Sequence, residues 1–284
     1  MVDLPKRFIL IILDGLGLRD ARENNAFKLA QTPTFDRLFS EHPWTALGAS
    51  QEVVGLPGGV IGNSEVGHMT IGAGRVLKND LVRINEAIND DSLANNPEIK
   101  ALFEYVSEKG SALHLVGLIS DGGVHSHINH IPAILRYAKE AGVNQLYLHA
   151  ITDGRDTSPY GSLHYVNSIQ NSMSEIGLGE ISTLIGRYFA MDRDRRWERT
   201  ERAYRLFVGS EGEKCDSPLS AIQESHERGV TDEFIDPVVN IGKKGQICSD
   251  DAILCFNFRA DRMRQICSAL GADTFSNFAT LQGP

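Results

Sequence analysis

The sequence has no excess of positive charge and no hydrophobic run of membrane-spanning length. Its 284 residues carry a formal net charge of −9, which argues against a nucleic-acid-binding protein because such proteins present a basic face. The longest apolar run, Phe8–Leu13, is far shorter than the ~20 residues that a spanning helix needs. It is also too short for the core of a signal peptide. We therefore expect no nucleic-acid partner and no membrane segment.

Cysteine is also scarce, and its positions follow no framework pattern. None of the four cysteines shows C-x-x-C spacing, and all lie in one half of the chain, at Cys215, Cys248, Cys255 and Cys267. We expect reduced thiols in a cytoplasmic protein. The composition, 42% hydrophobic and 23% charged, is ordinary for a globular chain, and the length allows two domains.

A glycine-rich stretch over residues 56–75 carries a lone hydroxyl at Ser64. The residues that follow can open a helix, and backbone amides at a helix start let an anion or a metal-bound phosphate approach closely. The spacing Gly62-x-Ser64-x-x-Gly67 is one residue too long for the G-x-S-x-G nucleophile elbow. The loop also lacks the Lys-Ser/Thr ending of a P-loop. A surface serine in a glycine-rich turn is the alternative.

The apolar, β-branch-rich run over residues 7–13 predicts a buried parallel strand. It ends at Asp14, so a carboxylate would lie at the carboxyl end of a strand, where open α/β sheets bind ligands. A dinucleotide fingerprint starting at Gly15 is disfavoured because its third glycine is missing. An aspartate with a structural role in a turn is the remaining alternative.

Beyond residue 78, strand and helix patterns alternate. Helices are predicted over residues 97–109 and 163–176, each followed by glycine, and a shorter helix runs from Thr32-Pro33 to Phe39. The span 209–250 is predicted to hold a short helix and irregular loops. Four apolar runs have strand length: 112–119, 145–151, 180–185 and 252–256. This alternation predicts an α/β fold with a mostly parallel sheet covered by helices.

Each of those four strands leads into a loop that carries charged residues. If the strands are parallel, all four loops gather at one edge of the sheet, which is the expected ligand crevice. Guanidinium groups make bidentate contacts with phosphate and carboxylate, so a converging set implies a small polyanionic ligand. That edge would carry one histidine and five arginines, namely His125, Arg155, Arg187, Arg193, Arg259 and Arg262.

Other charged residues nearby have simpler explanations. Residues 192–205 are predicted to be helical, with an ion-paired, solvated face formed by Arg196, Arg199, Arg202 and Arg205.

The spacing of His125, His127 and His130 could suggest a zinc site. A metal needs further convergent ligands, however, and Ile128 and Ile131 indicate a helix that already faces the core. Contact of His125 with phosphate is the other interpretation.

Two aspartates, Asp153 and Asp156, flank Arg155. One can orient a guanidinium group, and the other could carry a proton between hydroxyls.

Six motifs occur together in the following order: Phe8–Gly15, Gly62–His68, Gly122–His127, Asp153–Thr157, Gly186–Arg193 and Asn257–Arg262. Together they resemble the motifs of the cofactor-independent, or 2,3-bisphosphoglycerate-independent, phosphoglycerate mutases of glycolysis. The resemblance covers nearly the whole chain. It implies an isomerase that interconverts 3-phosphoglycerate and 2-phosphoglycerate through a phosphoserine, holds two manganese ions and is a monomer.

The resemblance also implies roles for individual residues. Ser64 would be the nucleophile, Asp14 and Ser64 would ligate one metal ion, and Asp156 would shuttle the proton. Residues 1–78 would belong to an alkaline-phosphatase-like domain, and residues 79–284 would form a transferase domain inserted into it. The phosphoglycerate would be held by His125, Arg155, Asp156, Arg187, Arg193, Arg259 and Arg262.

The family chain continues beyond the point that corresponds to Pro284 and supplies an active-site lysine and the other aspartate and histidine metal ligands. We therefore expect an N-terminal portion that binds metal poorly and has little or no mutase activity. Residues 79–284 should fold as a self-contained unit. Residues 1–78 would lack the sheet that they normally join, and their exposed strand edges would invite pairing or disorder.

Two other functions stay open at this point. A metal-dependent phosphatase or a phosphopentose mutase would use the same nucleophile domain, although the loops at residues 154–157 and 257–262 favour phosphoglycerate. A non-catalytic phosphoglycerate-binding module would bind the ligand without metal and without turnover.

Overall fold

The computed structural model describes residues 9–242, 245–272 and 274–281. The chain divides into two compact units, Met1–Val82 (unit 1) and Arg83–Pro284 (unit 2), whereas the sequence predicts a boundary after residue 78. Helix α4, Asp80–Asn89, continues across this division, so the boundary is defined only to within a few residues. In the described part of the chain, no helix is long and apolar enough to cross a membrane.

Unit 1 consists of short helices and loops. Its helix α2 begins at Pro33, directly after Thr32, as predicted, because a proline suits the first helical position. The ring of Phe35 packs against those of Phe27 and Phe39, with centroids 5.2 and 6.5 Å apart. The helices are α1 Ala26–Leu29, α2 Pro33–Glu41 and α3 Ser64–Ala73, followed by α4 Asp80–Asn89 at the boundary.

The predicted strand over residues 7–13 is wrong for residues 9–13, and residues 7 and 8 lie outside the described residues. Residues 9–13 form neither a helix nor a strand, and Ile9 and Ile11 are 86% and 75% exposed. A strand is stable only with a hydrogen-bonded neighbour, and none of the described segments pairs with this one. Residues 9–13 are therefore neither buried nor in a strand, in contrast to the prediction.

Unit 2 is built on a six-stranded sheet. The strands are β1 Leu113–Leu118, β2 Leu146–Thr152, β3 Glu180–Gly186, β4 Glu213–Cys215, β5 Val238–Asn240 and β6 Ala252–Cys255. Their order in the sheet is β4-β5-β3-β2-β1-β6. The four strands predicted from the sequence form a parallel core, in which β1 lies between β2 and β6 and β2 also pairs with β3. Strand β5 is antiparallel to β3 and parallel to β4.

Helices cover both faces of this sheet, as the α/β prediction requires. Alternate residues of β1 enter two separate cores, with Leu113 and Leu115 in one and Val116 and Leu118 in the other. The first core is closed by α5 Pro97–Lys109, α6 His130–Glu140, α7 Ser162–Ile176 and α10 Pro218–Glu227. The second is closed by α8 Arg187–Ala190, α9 Trp197–Gly209 and α11 Arg264–Gly271.

Two local predictions for unit 2 need correction. The helix predicted over residues 192–205 begins only at Trp197, because the Asp192 carboxylate accepts hydrogen bonds from the Asp194 and Arg196 amides and Arg195 adopts φ 61°. These contacts form a turn that competes with the helix. The span 209–250 contains its predicted helix, α10, but also β4 and β5, which are too short, at three residues each, to show a pattern.

Candidate functional site

The loops that follow β1, β2, β3 and β6 meet at the carboxyl edge of the sheet in unit 2. The amide of Phe258 donates to the carbonyl of His125 at 2.8 Å, which joins the β6 loop to the β1 loop. A Cβ atom on Gly122 would come within 3.1 Å of the Thr157 side chain, so the β1 and β2 loops also pack closely. Parallel strands therefore bring distant parts of the chain to one place, as predicted.

Arg187 lies at the centre of this edge and is 4% exposed. It follows Gly186 directly, where a Cβ would come within 2.3 Å of the Glu233 carbonyl oxygen, so this position accepts only glycine. Its Nη1 atom donates to Asp153 Oδ1 at 2.7 Å and to Asp156 Oδ2 at 2.6 Å. Burial alone would lower the pKa of Arg187, but the hydrogen bonds to Asp156 and Asp153 outweigh it and raise the pKa.

Asp153 is a buried carboxylate, only 1% exposed, whose ionised form is stabilised by several hydrogen bonds. Its Oδ2 accepts from Ser120 Oγ at 2.6 Å, and its Oδ1 accepts from the amides of Arg155 and Asp156 at 3.2 and 3.0 Å as well as from Arg187. Burial raises the pKa of Asp153, but the hydrogen bonds from Ser120, Asp156 and Arg187 outweigh it and lower the pKa. The group is therefore ionised at neutral pH.

His125 is 3% exposed and lies beside the same guanidinium. Its Nε2 atom is 3.1 Å from Arg187 Nη2 and 3.6 Å from Asp156 Oδ2. Its Nδ1 atom is buried and has no hydrogen-bond partner among the described residues. Burial, followed by the positive charge of Arg187, lowers the pKa of His125 to about 4. The imidazole is therefore neutral at pH 7.

Three further arginines lie around this centre, each with a carboxylate nearby. Arg193 Nη1 donates to Asp261 Oδ2 at 2.8 Å, and Arg259 Nε lies 3.1 Å from Asp261 Oδ1. Arg155, with a side chain 55% exposed, lies 3.7 Å from Glu233. Their guanidinium groups remain accessible to a ligand because the side chains of Arg155, Arg193 and Arg259 are about half exposed, at 55, 47 and 50%.

Arg262 completes the set. Its Nη1 donates to the Met191 carbonyl at 3.2 Å, and its buried Nε has no partner in the described part of the chain. Burial and then the charges of Arg193, Arg187 and Arg155 lower the pKa of Arg262. All seven residues proposed to hold the ligand thus lie in one cluster, the anion cluster: His125, Arg155, Asp156, Arg187, Arg193, Arg259 and Arg262.

Ser64 and Asp14 come together separately, within unit 1. Ser64 is the first residue of α3, and the Asn63 side chain caps that helix by accepting from the Val66 amide at 3.0 Å. Ser64 Oγ donates to Asp14 Oδ2 at 2.7 Å and lies 3.2 Å from His68 Nδ1. The helix after the glycine-rich loop is predicted to open in the residues that follow Ser64, and in the structure it begins at Ser64 itself.

The donor set around Ser64 does not fit a metal site by itself. Asp14 and Ser64 are two oxygen-donating side chains, which suit a hard divalent cation in kind but are too few to hold one. Throughout the described ranges, no group of three or more His, Cys, Asp or Glu side chains could hold a metal ion. His125, His127 and His130, which could suggest a zinc site by their spacing, do not form such a group either. His130 Nε2 instead lies 2.8 Å from Asn85 Oδ1, and the neighbouring Ile128 and Ile131 are buried.

Of the four arginines predicted to form a solvated, ion-paired face, Arg196, Arg202 and Arg205 do so, whereas Arg199 packs over the Tyr188 ring and is 21% exposed. Arg205 pairs with Glu201 at 2.8 Å, as expected for residues one helical turn apart. Arg202 pairs with Asp236 at 2.6 Å rather than with Glu198. None of these contacts involves the anion cluster, so the two groups of arginines make separate contacts in the folded chain.

Two contributors to the anion cluster were not singled out from the sequence. Ser120 directly follows β1 and holds Asp153, and Asp261 lies between Arg259 and Arg262 and contacts Arg193. Their positions at strand ends, next to residues that were singled out, are the signal that could have revealed them.

The cysteines are free thiols, as expected, and Cys255 Sγ lies 3.6 Å from Cys267 Sγ.

Comparison with known proteins finds relatives along nearly the whole chain. A family model described as the N-terminus of BPG-independent PGAM matches residues 84–283. The chain is 49% identical over 276 residues to a 2,3-bisphosphoglycerate-independent phosphoglycerate mutase of Clostridium tetani, covering 96% of this chain and 54% of the relative. It is 47% identical over 281 residues to the protein of that name in Moorella thermoacetica, covering 98% and 55%.

A solved structure gives the same picture. Phosphoglycerate mutase of Leishmania mexicana, crystallised at low cobalt concentration, superposes with a TM-score of 0.74 at 33% identity. The match covers 98% of this chain and 53% of that one. The chain therefore spans about half the length of the relatives that it matches.

Proposed function

Because this chain belongs to the family of 2,3-bisphosphoglycerate-independent phosphoglycerate mutases, we propose that it acts in the interconversion of 3-phosphoglycerate and 2-phosphoglycerate. Unit 2 would be the part that holds the phosphoglycerate, and unit 1 the part that carries the phosphoryl acceptor, Ser64. One observation carries the proposal: five arginines from three separate loops lie together around one buried histidine from a fourth loop. Such a site suits a small ligand that bears both a phosphate and a carboxylate.

The anion cluster can bind and orient the ligand with its own groups. The half-exposed guanidinium groups of Arg155, Arg193 and Arg259 can each make paired hydrogen bonds to an oxyanion. Arg262 Nε, which is buried without a partner in the described residues, offers one more donor. Glycerate held by several such contacts can turn without leaving the site, which a transfer from the 3-hydroxyl to the 2-hydroxyl requires.

Asp156 is the residue that we propose to move the proton between the two hydroxyls. Its Oδ2 accepts a 2.6 Å hydrogen bond from Arg187, and its side chain is 24% exposed, in contrast to the fully buried Asp153. An ionised carboxylate at the edge of the site can take a proton from one hydroxyl and return it to the other.

The proposed reaction is metal-dependent in the sense that enzymes of this family are. By the resemblance, the ion would be Mn²⁺, with Asp14 and Ser64 as two of its ligands. The described residues do not by themselves form a metal site. The hydrogen bond to Asp14 Oδ2 orients the Ser64 hydroxyl on its own.

Calorimetric titration of the 284-residue chain with 3-phosphoglycerate, with and without Mn²⁺, tests the binding part of the proposal, which a mutase and a non-catalytic phosphoglycerate-binding module share. We expect binding in both conditions, at least about tenfold weaker in Arg259→Ala because a charge-assisted contact is lost. Arg202→Ala is the matched control, since Arg202 pairs with Asp236 outside the anion cluster. Tighter binding of a pentose phosphate, or no binding of either compound, would contradict the proposal.

A further inference from the structure

The proton on His125 can be assigned from its contacts. Arg187 Nη2 is 3.1 Å from His125 Nε2, and a guanidinium has only donors and keeps its proton in proteins. Nε2 must therefore be the bare, accepting nitrogen of the ring. The alternative, an Nε2–H group donating to Asp156, is disfavoured because that contact is 3.6 Å long.

A neutral imidazole with a bare Nε2 carries its hydrogen on Nδ1. That Nδ1 atom is buried and has no partner among the described residues. A buried donor left without an acceptor is unfavourable, so the ligand-free site contains one unsatisfied hydrogen-bond donor that an oxygen atom of a ligand would satisfy. The charged groups that face His125 are Arg187, Asp156, Arg259 and Asp261.

The position of Arg187 determines this arrangement, and two carboxylates hold Arg187. Asp156 is partly exposed and, by the proposed function, changes its protonation during the reaction. Asp153 is 1% exposed and is itself fixed by Ser120 Oγ and by two backbone amides. Asp153 is therefore the anchor that keeps its charge and its place.

We propose that Asp153 is a positioning residue that acts through Arg187 to fix His125 as the neutral tautomer protonated at Nδ1, so that Nδ1–H donates to the bound phosphoglycerate. The proposal rests on the proposed function for the identity of the ligand. It adds that His125 binds an anion as a neutral donor rather than as a cation. Ligand affinity then depends on pH through the ionisation of the ligand and not through His125.

Nitrogen-15 NMR of the ligand-free 284-residue chain, with His125 assigned by a His125→Gln variant, tests the tautomer directly. We expect a protonated Nδ1 and a bare Nε2 across pH 6–8. In Asp153→Asn we expect a mixture of tautomers and a ring that titrates closer to its ordinary range. A protonated Nε2 in the unmodified chain would overturn the proposal.

Binding of 3-phosphoglycerate across pH 5.5–8 is the second readout. We expect affinity at least about tenfold weaker in Asp153→Asn, with a new pH dependence that a purely structural defect would not produce. Asp250→Asn, at an exposed aspartate outside the anion cluster, is the matched control and should change neither readout. Unchanged affinity and an unchanged His125 signal in Asp153→Asn would overturn the proposal.

A second variant and the ligand-free measurement distinguish failure of this proposal from a folding defect and from failure of the proposed function. If Asp153→Asn does not fold, Ser120→Ala removes one of the hydrogen bonds to Asp153, and we expect the same changes at about fivefold or less. Absence of any effect in Ser120→Ala on the His125 signal would then count against the proposal. If the unmodified chain does not bind 3-phosphoglycerate, the proposed function fails, while the tautomer in the ligand-free chain still decides the role of Asp153.

Discussion

Ser64 Oγ donates a 2.7 Å hydrogen bond to Oδ2 of Asp14, which lies 50 residues earlier in the chain. Both side chains are exposed to solvent and belong to unit 1. Every residue proposed to hold the phosphoglycerate belongs to unit 2. Phosphoryl acceptance and ligand binding can therefore be tested separately.

Ser64→Ala should leave the affinity of the chain for 3-phosphoglycerate unchanged, because no binding group is removed. Asp14→Ala should behave in the same way. Calorimetric titration with 3-phosphoglycerate measures the effect, and Arg259→Ala serves as a variant that weakens binding. A tenfold loss of affinity in Ser64→Ala would show that Ser64 contacts the ligand.

The 284-residue chain should show little mutase turnover when Mn²⁺ and 3-phosphoglycerate are added, because Asp14 and Ser64 offer too few ligands for a metal ion. A coupled assay for 2-phosphoglycerate measures the turnover, with an intact mutase of the family as the positive control. Turnover close to that of the intact enzyme would show that the two ligands suffice.

Arg187→Met and Arg155→Ala should affect stability very differently. Removal of Arg187 leaves the Asp153 carboxylate, which is 1% exposed, without its counter-charge, and such losses cost about 3–5 kcal/mol. Arg155 is half exposed and 3.7 Å from Glu233, so its removal should cost less than about 0.5 kcal/mol. Urea denaturation of both variants gives the two free energies of unfolding. Similar values would contradict the buried ion pair.

Stability should fall as the pH is lowered from about 6.5, the ordinary pKa of histidine. Burial lowers the pKa of His125 and His130 to about 4, and it also lowers the pKa values of His114 and His149. The folded protein binds fewer protons at these groups than the unfolded chain, so acid favours unfolding. Each group contributes up to about 1.4 kcal/mol per pH unit between its two pKa values.

Denaturant unfolding at pH 7.5, 6.5, 5.5 and 4.5, at constant ionic strength, measures this loss. The decrease should begin above pH 5, before the carboxylates contribute. The pKa values of Asp153 and Asp192 are lowered in the folded protein, so the stability that they contribute is lost only as the pH falls below their ordinary value of 3.8, where the unfolded chain takes up protons. Stability that is constant or rising between pH 6.5 and 4.5 would show that these histidines are protonated in the folded protein.

A fragment of residues 79–284 should fold alone. Unit 2 has its own sheet and two cores, and Asn79 Oδ1 accepts from the Val82 amide at 2.9 Å, which supports the start of α4. Thermal unfolding followed by circular dichroism should show one cooperative transition, and the affinity for 3-phosphoglycerate should match that of the full chain. A fragment that is unfolded, or folded but unable to bind, would contradict the independence of unit 2.

The sequence predicts unit 2 better than unit 1 for a physical reason. A strand such as β1 is apolar because both faces of a parallel sheet are buried, and its partners lie within the same unit. The run over residues 9–13 has the same pattern but finds no partner strand among the described residues. An apolar pattern therefore indicates that a segment can form a strand, whereas a strand forms only where the segment finds a hydrogen-bonded partner.

The candidate site could be predicted at the level of residues but not of contacts. Its arginines follow strands, and parallel order brings strand ends together, so convergence at one edge could be expected. That Arg187 donates to two aspartates and to His125 depends on side-chain geometry that spacing does not contain. The helix predicted from residue 192 begins only at Trp197, because the Asp192 carboxylate accepts a hydrogen bond from the Arg196 amide and forms a turn before the helix.

Asp261 contacts both Arg193 and Arg259 and so holds two like charges near each other. Their mutual repulsion is offset within the folded protein, before any substrate arrives, and the two side chains lose much of their freedom at that stage. An oxyanion that binds there meets two cations that are already side by side. The Asp261 carboxylate therefore keeps these two arginines together while no ligand is bound.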